Sequence, residues 1–112
     1  MRDKTYSVKI TPQAEIQLSE ITKFLVNELK EPIIAERLLA RIEQSVLSLS
    51  TFPYRTKLLD REPWCSAGVR LIPISNFIIY LWIDEENCIV HVIAVVYGRR
   101  NQLKQLLKLD LE

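Results

Sequence analysis

The residues of this chain best suited to chemistry are arginines at the ends of strand-like runs. Arg70 stands in Gly68-Val69-Arg70, and Arg99-Arg100 follow a long apolar run across Gly98. A guanidinium anchored on a sheet is a rigid, bidentate donor for phosphate or carboxylate. If the strands are neighbours, these arginines converge, with Lys57, Arg61 and Lys104 adding charge. Such a face suits a nucleic-acid backbone, a developing phosphorane, or an acidic partner protein. A purely structural role competes with this: Arg70 pairs with an acid of the turn at residues 84–87 and staples a loop. Trp64 and Trp82 could stack on bases or simply pack.

No other chemistry announces itself. The chain has no GxGxxG or Walker-type phosphate loop, no HExxH and no GxSxG elbow. His91 lies among Ile89, Val90, Val92 and Ile93, and reads as a core histidine rather than a base. Cys65 has no base beside it in sequence, and with Cys88 and one histidine it is too little for a structural zinc site. Neither metal nor cofactor is expected. A net charge of +1 argues against wholesale coating of nucleic acid. Charge is nevertheless uneven: Arg99, Arg100, Lys104 and Lys108 follow Asn87 with no acid before Asp110, while Asp84, Glu85 and Glu86 sit together.

The 112 residues, 48% hydrophobic and 26% charged, suit a single globular domain over residues 1–112. Apolar runs are strand-sized, and the N-terminus shows no signal-like stretch, so a cytoplasmic protein is expected. Residues 5–10 alternate as a strand, with Tyr6, Val8 and Ile10 on one face. Thr11-Pro12 reads as a cap and first helical residue, and Ala14, Leu18, Ile21, Leu25 and Leu29 make an amphipathic stripe. Pro32 starts a second helix with Ala35, Leu38, Leu39, Ile42, Val46 and Leu49 inward, folded back as an antiparallel hairpin. A loop runs to about Ala67. Strands follow at 68–74, where Pro73 implies an edge or bulge, at 77–83 and at 88–97. The last two are apolar on both faces, as in central strands, and Asn101 can cap a last helix. The order β-α-α-β-β-β-α gives an α+β fold: an antiparallel-rich sheet with a helical hairpin packed on it.

This order resembles the RelE/ParE toxin superfamily from about Tyr6 to Leu107. The resemblance rests on TPQAEIQLSEI after the first strand, on SLSTFP after the second helix, on AGVRLIPISNFIIYLWID and on VHVIAVVYGRR. It implies the toxin of a type II toxin–antitoxin system, bound and neutralised by a cognate antitoxin, with which it assembles into an oligomer. RelE-like members are metal-independent endoribonucleases that cut mRNA on the ribosome; ParE-like members poison DNA gyrase and are no nucleases.

Carried over by position, Arg70 matches the basic residue of the second strand, and Arg100 the arginine after the last. These two are the catalytic candidates if the protein is a nuclease, with Tyr97 as a displaced hydroxyl. The arginine that RelE-like nucleases place early in the third strand falls on Phe77, and their C-terminal tyrosine near Leu106. Phenylalanine cannot hold phosphate, and leucine cannot move a proton. The resemblance therefore favours gyrase poisoning. Ribosome-dependent mRNA cleavage and a non-toxic binding module of the same fold are the alternatives. For partner or nucleic-acid contact the candidates are Lys57, Arg61, Arg70, Arg99, Arg100 and Lys104.

Overall fold

The computed structural model describes residues 4–28 and 32–97. Strand β1 (Ser7–Ile10) leads into helices α1 (Pro12–Glu28) and α2 (Pro32–Ser48). A short 3-10 turn at Pro53–Arg55 precedes strands β2 (Lys57–Leu58), β3 (Arg70–Ile74), β4 (Phe77–Asp84) and β5 (Ile89–Tyr97). The five strands form one sheet in the order β1-β5-β4-β3-β2. Only β1 and β5 run parallel; the other neighbours are antiparallel.

Both central strands are covered on both faces. Ile79, Leu81, Val90 and Val92 lie in one core with Ile21, Leu25, Ala35 and Ile42 of the helices. Tyr80, Ile93, Ala94 and Val96 face a second cluster, closed by Trp64 and Val69. Ile79, Leu81, Val90 and Val92 are wholly inaccessible, and each such burial stabilises the fold by about 1.5–3 kcal/mol. The pairing steps from Tyr80↔Ala94 to Leu81↔Val92, which leaves Ile93 as an inserted residue. Consecutive Ile93 and Ala94 consequently join the same outer cluster, the usual effect of a bulge on alternation.

Helix α1 is fastened at this bulge. The Thr11 hydroxyl accepts from Ala14 N at 3.3 Å, capping the helix, and donates to Ile93 O at 3.4 Å. Thr11 N donates to Val92 O, and Val95 N donates to Gln17 Oε1 at 2.8 Å. The expected stripes face the core: Ala14, Ile21 and Leu25 in α1, and Ala35, Ile42, Val46 and Leu49 beneath α2, are buried, while Leu18, Leu38 and Leu39 pack partly buried against them. Leu29 lies outside the described residues, as does the expected last helix. No helix among the described residues is long and apolar enough to cross a membrane.

Several expected boundaries shift for physical reasons. The first strand is shorter than residues 5–10, because Thr5 bridges instead to Thr51. The strand expected from Gly68 starts at Arg70: Gly68 adopts φ +83° in the turn before it, under the Trp82 indole. The expected plain loop contains β2, a two-residue strand too short to show a period. Because β2 pairs only with Arg70 and Leu71, Pro73 lies on the uncovered edge of β3. His91 is half-exposed, stacked on Trp82 with ring centroids 5.4 Å apart, and not a core histidine. Replacement of Thr11 tests the helix anchor. Thr11→Ala should cost about 1–2 kcal/mol in urea unfolding, and Thr11→Ser should restore most of it.

Candidate functional site

The loop between α2 and β3 lies across one end of the sheet and collects most of the described candidates. Two arginines satisfy several of the backbone carbonyls at its start. Arg55 Nη1 donates to the carbonyls of Ser48, Thr51 and Phe52, at 3.3, 3.0 and 3.1 Å, and Nη2 donates to Ser48 Oγ at 2.6 Å. Arg70 reaches the same loop from β3. Its Nη1 donates to Thr56 O at 2.6 Å and to Tyr54 O at 3.4 Å, and the guanidinium lies over the Tyr54 ring at 5.0 Å.

Arg70 thus staples the loop, but to carbonyls and not to the expected turn acids. Two of the three acids of residues 84–87 find other partners: Asp84 accepts from the Asn87 amide, and Glu85 accepts from Tyr6 and Lys4. A guanidinium committed in this way presents less of its fork to a phosphate. Lys57 lies on β2 beside β3, with its strand neighbour Leu58 opposite Arg70, and is exposed. Arg61 is also exposed and begins the turn that carries Trp64. Neither Lys57 nor Arg61 makes an ion pair among the described residues. Arg99, Arg100 and Lys104 lie outside those residues, so their expected convergence with Arg70 has no described geometry.

At the far end of β4 and β5 the chemistry is apolar. Phe77 is 1% exposed and joins the helix-side core. The Tyr97 ring packs between Phe77 and Phe24, at 4.8 and 5.3 Å between centroids, although the residue stays 44% exposed. Trp64 is buried in the outer cluster. Trp82 is stacked on His91 and lies close to Gly68, yet stays 38% exposed. Cys65 and Cys88 are free thiols, and no group of His, Cys, Asp and Glu among the described residues could hold a metal ion.

One polar cluster escaped the sequence reading. Glu85, in the β4–β5 turn, accepts a hydrogen bond from the Tyr6 hydroxyl at 2.6 Å and pairs with Lys4. The ammonium of Lys4, then the hydroxyls of Tyr6 and Tyr54, hold the Glu85 carboxyl down at about 2. The same bond to Glu85, with burial, pushes the Tyr6 phenol up to about 12. Burial first, and Glu85 second, raise Tyr54. Glu85 lies 79 and 81 positions from Tyr6 and Lys4, and no local pattern joins them. The parallel register Ser7↔Ile89 brings Tyr6 beside the turn.

The cluster sets a pH dependence. A carboxyl depressed from 4.5 to about 2 on folding adds stability that is fully present above about 4.5. That contribution shrinks as the pH falls and is gone once it passes about 2. Tyr6 behaves oppositely: raised from 10 to about 12, it adds stability below pH 10 that is lost as the pH climbs through about 12. Unfolding monitored by circular dichroism should show wild-type stability dropping between pH 4.5 and 2, and a flatter profile for Glu85→Gln. Parallel profiles would remove Glu85 from the acid transition.

The ParE toxin family of type II toxin–antitoxin systems, parDE, has a family model that matches residues 8–102. A chain of the RelBE2 toxin–antitoxin complex from Mycobacterium tuberculosis superposes with a TM-score of 0.62 at 24% identity, over 83% of this chain and 98% of that one. A chain of the chromosomal ParDE system of P. aeruginosa gives a TM-score of 0.65 at 18% identity, over 86% and 99%. Both share the fold: two helices packed on a five-stranded sheet. No curated protein matches the sequence. Since the family match spans most of the chain and the fold agrees with it, this protein belongs to the ParE toxin family of type II toxin–antitoxin systems.

Proposed function

We propose that this protein arrests bacterial growth by poisoning DNA gyrase and is neutralised by a cognate antitoxin bound to it in the cytoplasm. Phe77 is the observation that carries the choice of target. At the position where resembling nucleases place an arginine, this chain has a phenyl ring sealed among Ile79, Leu81 and the helices. A ring in that core cannot hold a scissile phosphate. Arg70, the next donor in line, is turned towards Tyr54 O and Thr56 O.

Ribonuclease action through a 2′-hydroxyl needs a group to take its proton and donors for the charge that builds on phosphate. Removal of one donor typically costs about 10²–10³-fold, and removal of an acid or base about 10²–10⁴-fold. The hydroxyl that the resemblance offers for such a role among the described residues is that of the partly exposed Tyr97, and its ring is occupied in packing. The two systems that share the fold are toxin–antitoxin complexes, which supports an antitoxin as the neutralising partner here.

Induction of the full chain alone should stop growth, and co-expression of the adjacent antitoxin gene should restore it. Purified protein should block supercoiling by gyrase or trap cleaved DNA, and leave mRNA intact in a translating extract. Cuts at the ribosomal A site with gyrase untouched would reverse the choice of target. Tyr97→Phe would then report whether that hydroxyl takes part, since the substitution keeps the packing with Phe24 and Phe77.

A further inference from the structure

The most unusual side chain on the surface is Phe52. It is 67% exposed and adopts a left-handed backbone, φ 52° and ψ 58°. That region is unfavourable for a bulky residue, and the following Pro53 disfavours helical backbone at the same position. Glycine or asparagine would hold this conformation at lower cost. A costly conformation persists only where the surroundings impose it, and such residues gather at functional sites.

The surroundings do impose it. Arg55 ties together the carbonyls of Ser48, Thr51 and Phe52, while Tyr6 N donates to Ser50 O. Pro53 is buried, and the buried Thr56 hydroxyl donates to Pro53 O at 2.8 Å. Arg70 holds the carbonyls on the other side. A loop so fixed displays its side chains without paying to order them on binding. What it displays is apolar: Leu47 at 68% exposure, Phe52, and the partly exposed Tyr54 and Leu58. Residues 47–58 include Arg55 and Lys57 and no acid, and Arg70 lies against them.

We propose that residues 47–58 are the surface by which this toxin grips the folded protein it acts on, with Phe52 entering an apolar pocket rimmed by carboxylates. The inference rests on the toxin reading above and not on gyrase as the target. A convex, rigid knob requires a preformed concavity, which a folded protein supplies and an extended antitoxin segment does not. A nucleic acid fits less well. The Tyr54 ring has Arg70 over it, which leaves Phe52 as a single free ring among leucines, where a strand of bases would call for successive stacking platforms. The basic, acid-free loop asks for acidic groups around the pocket.

Phe52→Gly and Phe52→Asn separate docking from packing, because both residues accept the left-handed backbone. In the full-length protein both variants should melt no lower than wild type and bind the cognate antitoxin unchanged. Growth arrest and inhibition of the target should fall roughly 30-fold or more, the scale of an interface hot spot. Ile16→Asn, which removes another exposed apolar side chain on α1, should leave all three unchanged. Retained growth arrest in both Phe52 variants would overturn the proposal. So would a fall in melting temperature, which would make Phe52 a packing residue. Weakened antitoxin binding would assign the loop to the antitoxin and overturn the target assignment. If wild type arrests growth but spares gyrase, the gyrase reading fails and the loop is judged on arrest alone; a wild type that arrests nothing removes both.

Discussion

Eight residue pairs join β4 to β5, and both strands carry apolar side chains on both faces. A ribbon of that kind in water must be covered twice. On one side α1 and α2 supply the cover; on the other, Trp64, Val69 and Leu59 of the loop before β3 do so. The bulge at Ile93 connects the two tasks. By inserting one residue it puts Ile93 and Ala94 into the outer cluster together, and α1 fastens to the carbonyls of Val92 and Ile93 through Thr11. Left without a partner, each buried polar backbone group at such a break would cost about 1–3 kcal/mol. The helix is therefore placed by the irregularity of the strand as much as by its own apolar stripe.

The long connection from α2 to β3 has a different problem: most of it lies outside any ladder, and its carbonyls need other partners. Arginine solves it, since one guanidinium donates several hydrogen bonds in a plane. Arg55 gathers the end of α2 with the turn, and Arg70 gathers the next stretch from the sheet. Glu85 then ties Tyr6 and Lys4 to the β4–β5 turn beside them. Arg70, which sequence alone would assign to a partner, is thus partly committed to the chain itself.

The contrast with the sequence follows from the range of each interaction. Helix stripes, the Thr11 cap, the Pro32 start and the doubly apolar central strands are written in neighbouring residues, so periodicity finds them. Strand β2 is two residues long, below any period, and its identity comes from Arg70 and Leu71 on the strand it pairs with. The role of Arg70 was half legible: a staple was foreseeable, but its acceptors are carbonyls, which every residue carries and no sequence marks. Glu85 with Tyr6 was not legible, because only the parallel pairing of β1 with β5 makes them neighbours. Arg55 is illegible for a similar reason. An arginine four residues after Thr51 has no signature until the chain turns back on the end of α2.

One fold can host unlike activities because the frame is set by the central strands and the chemistry by a few side chains on it. At the open end of β4 this chain has gone far towards packing. Phe77 is not a neutral occupant that an arginine could replace in place. It touches Tyr97, which in turn touches Phe24 of α1, so three rings close the seam between sheet and helix. A guanidinium at residue 77 would be buried with no carboxylate among those neighbours, a charge that proteins hold only when it is paired. Either the seam would open to let it reach solvent, or the helix would give up part of its contact with β5. A nuclease arrangement at that position therefore demands a different junction between α1 and the sheet, and not just a different residue. The apolar junction that stabilises this chain is the same feature that withholds a phosphate donor, and the two properties cannot be varied independently.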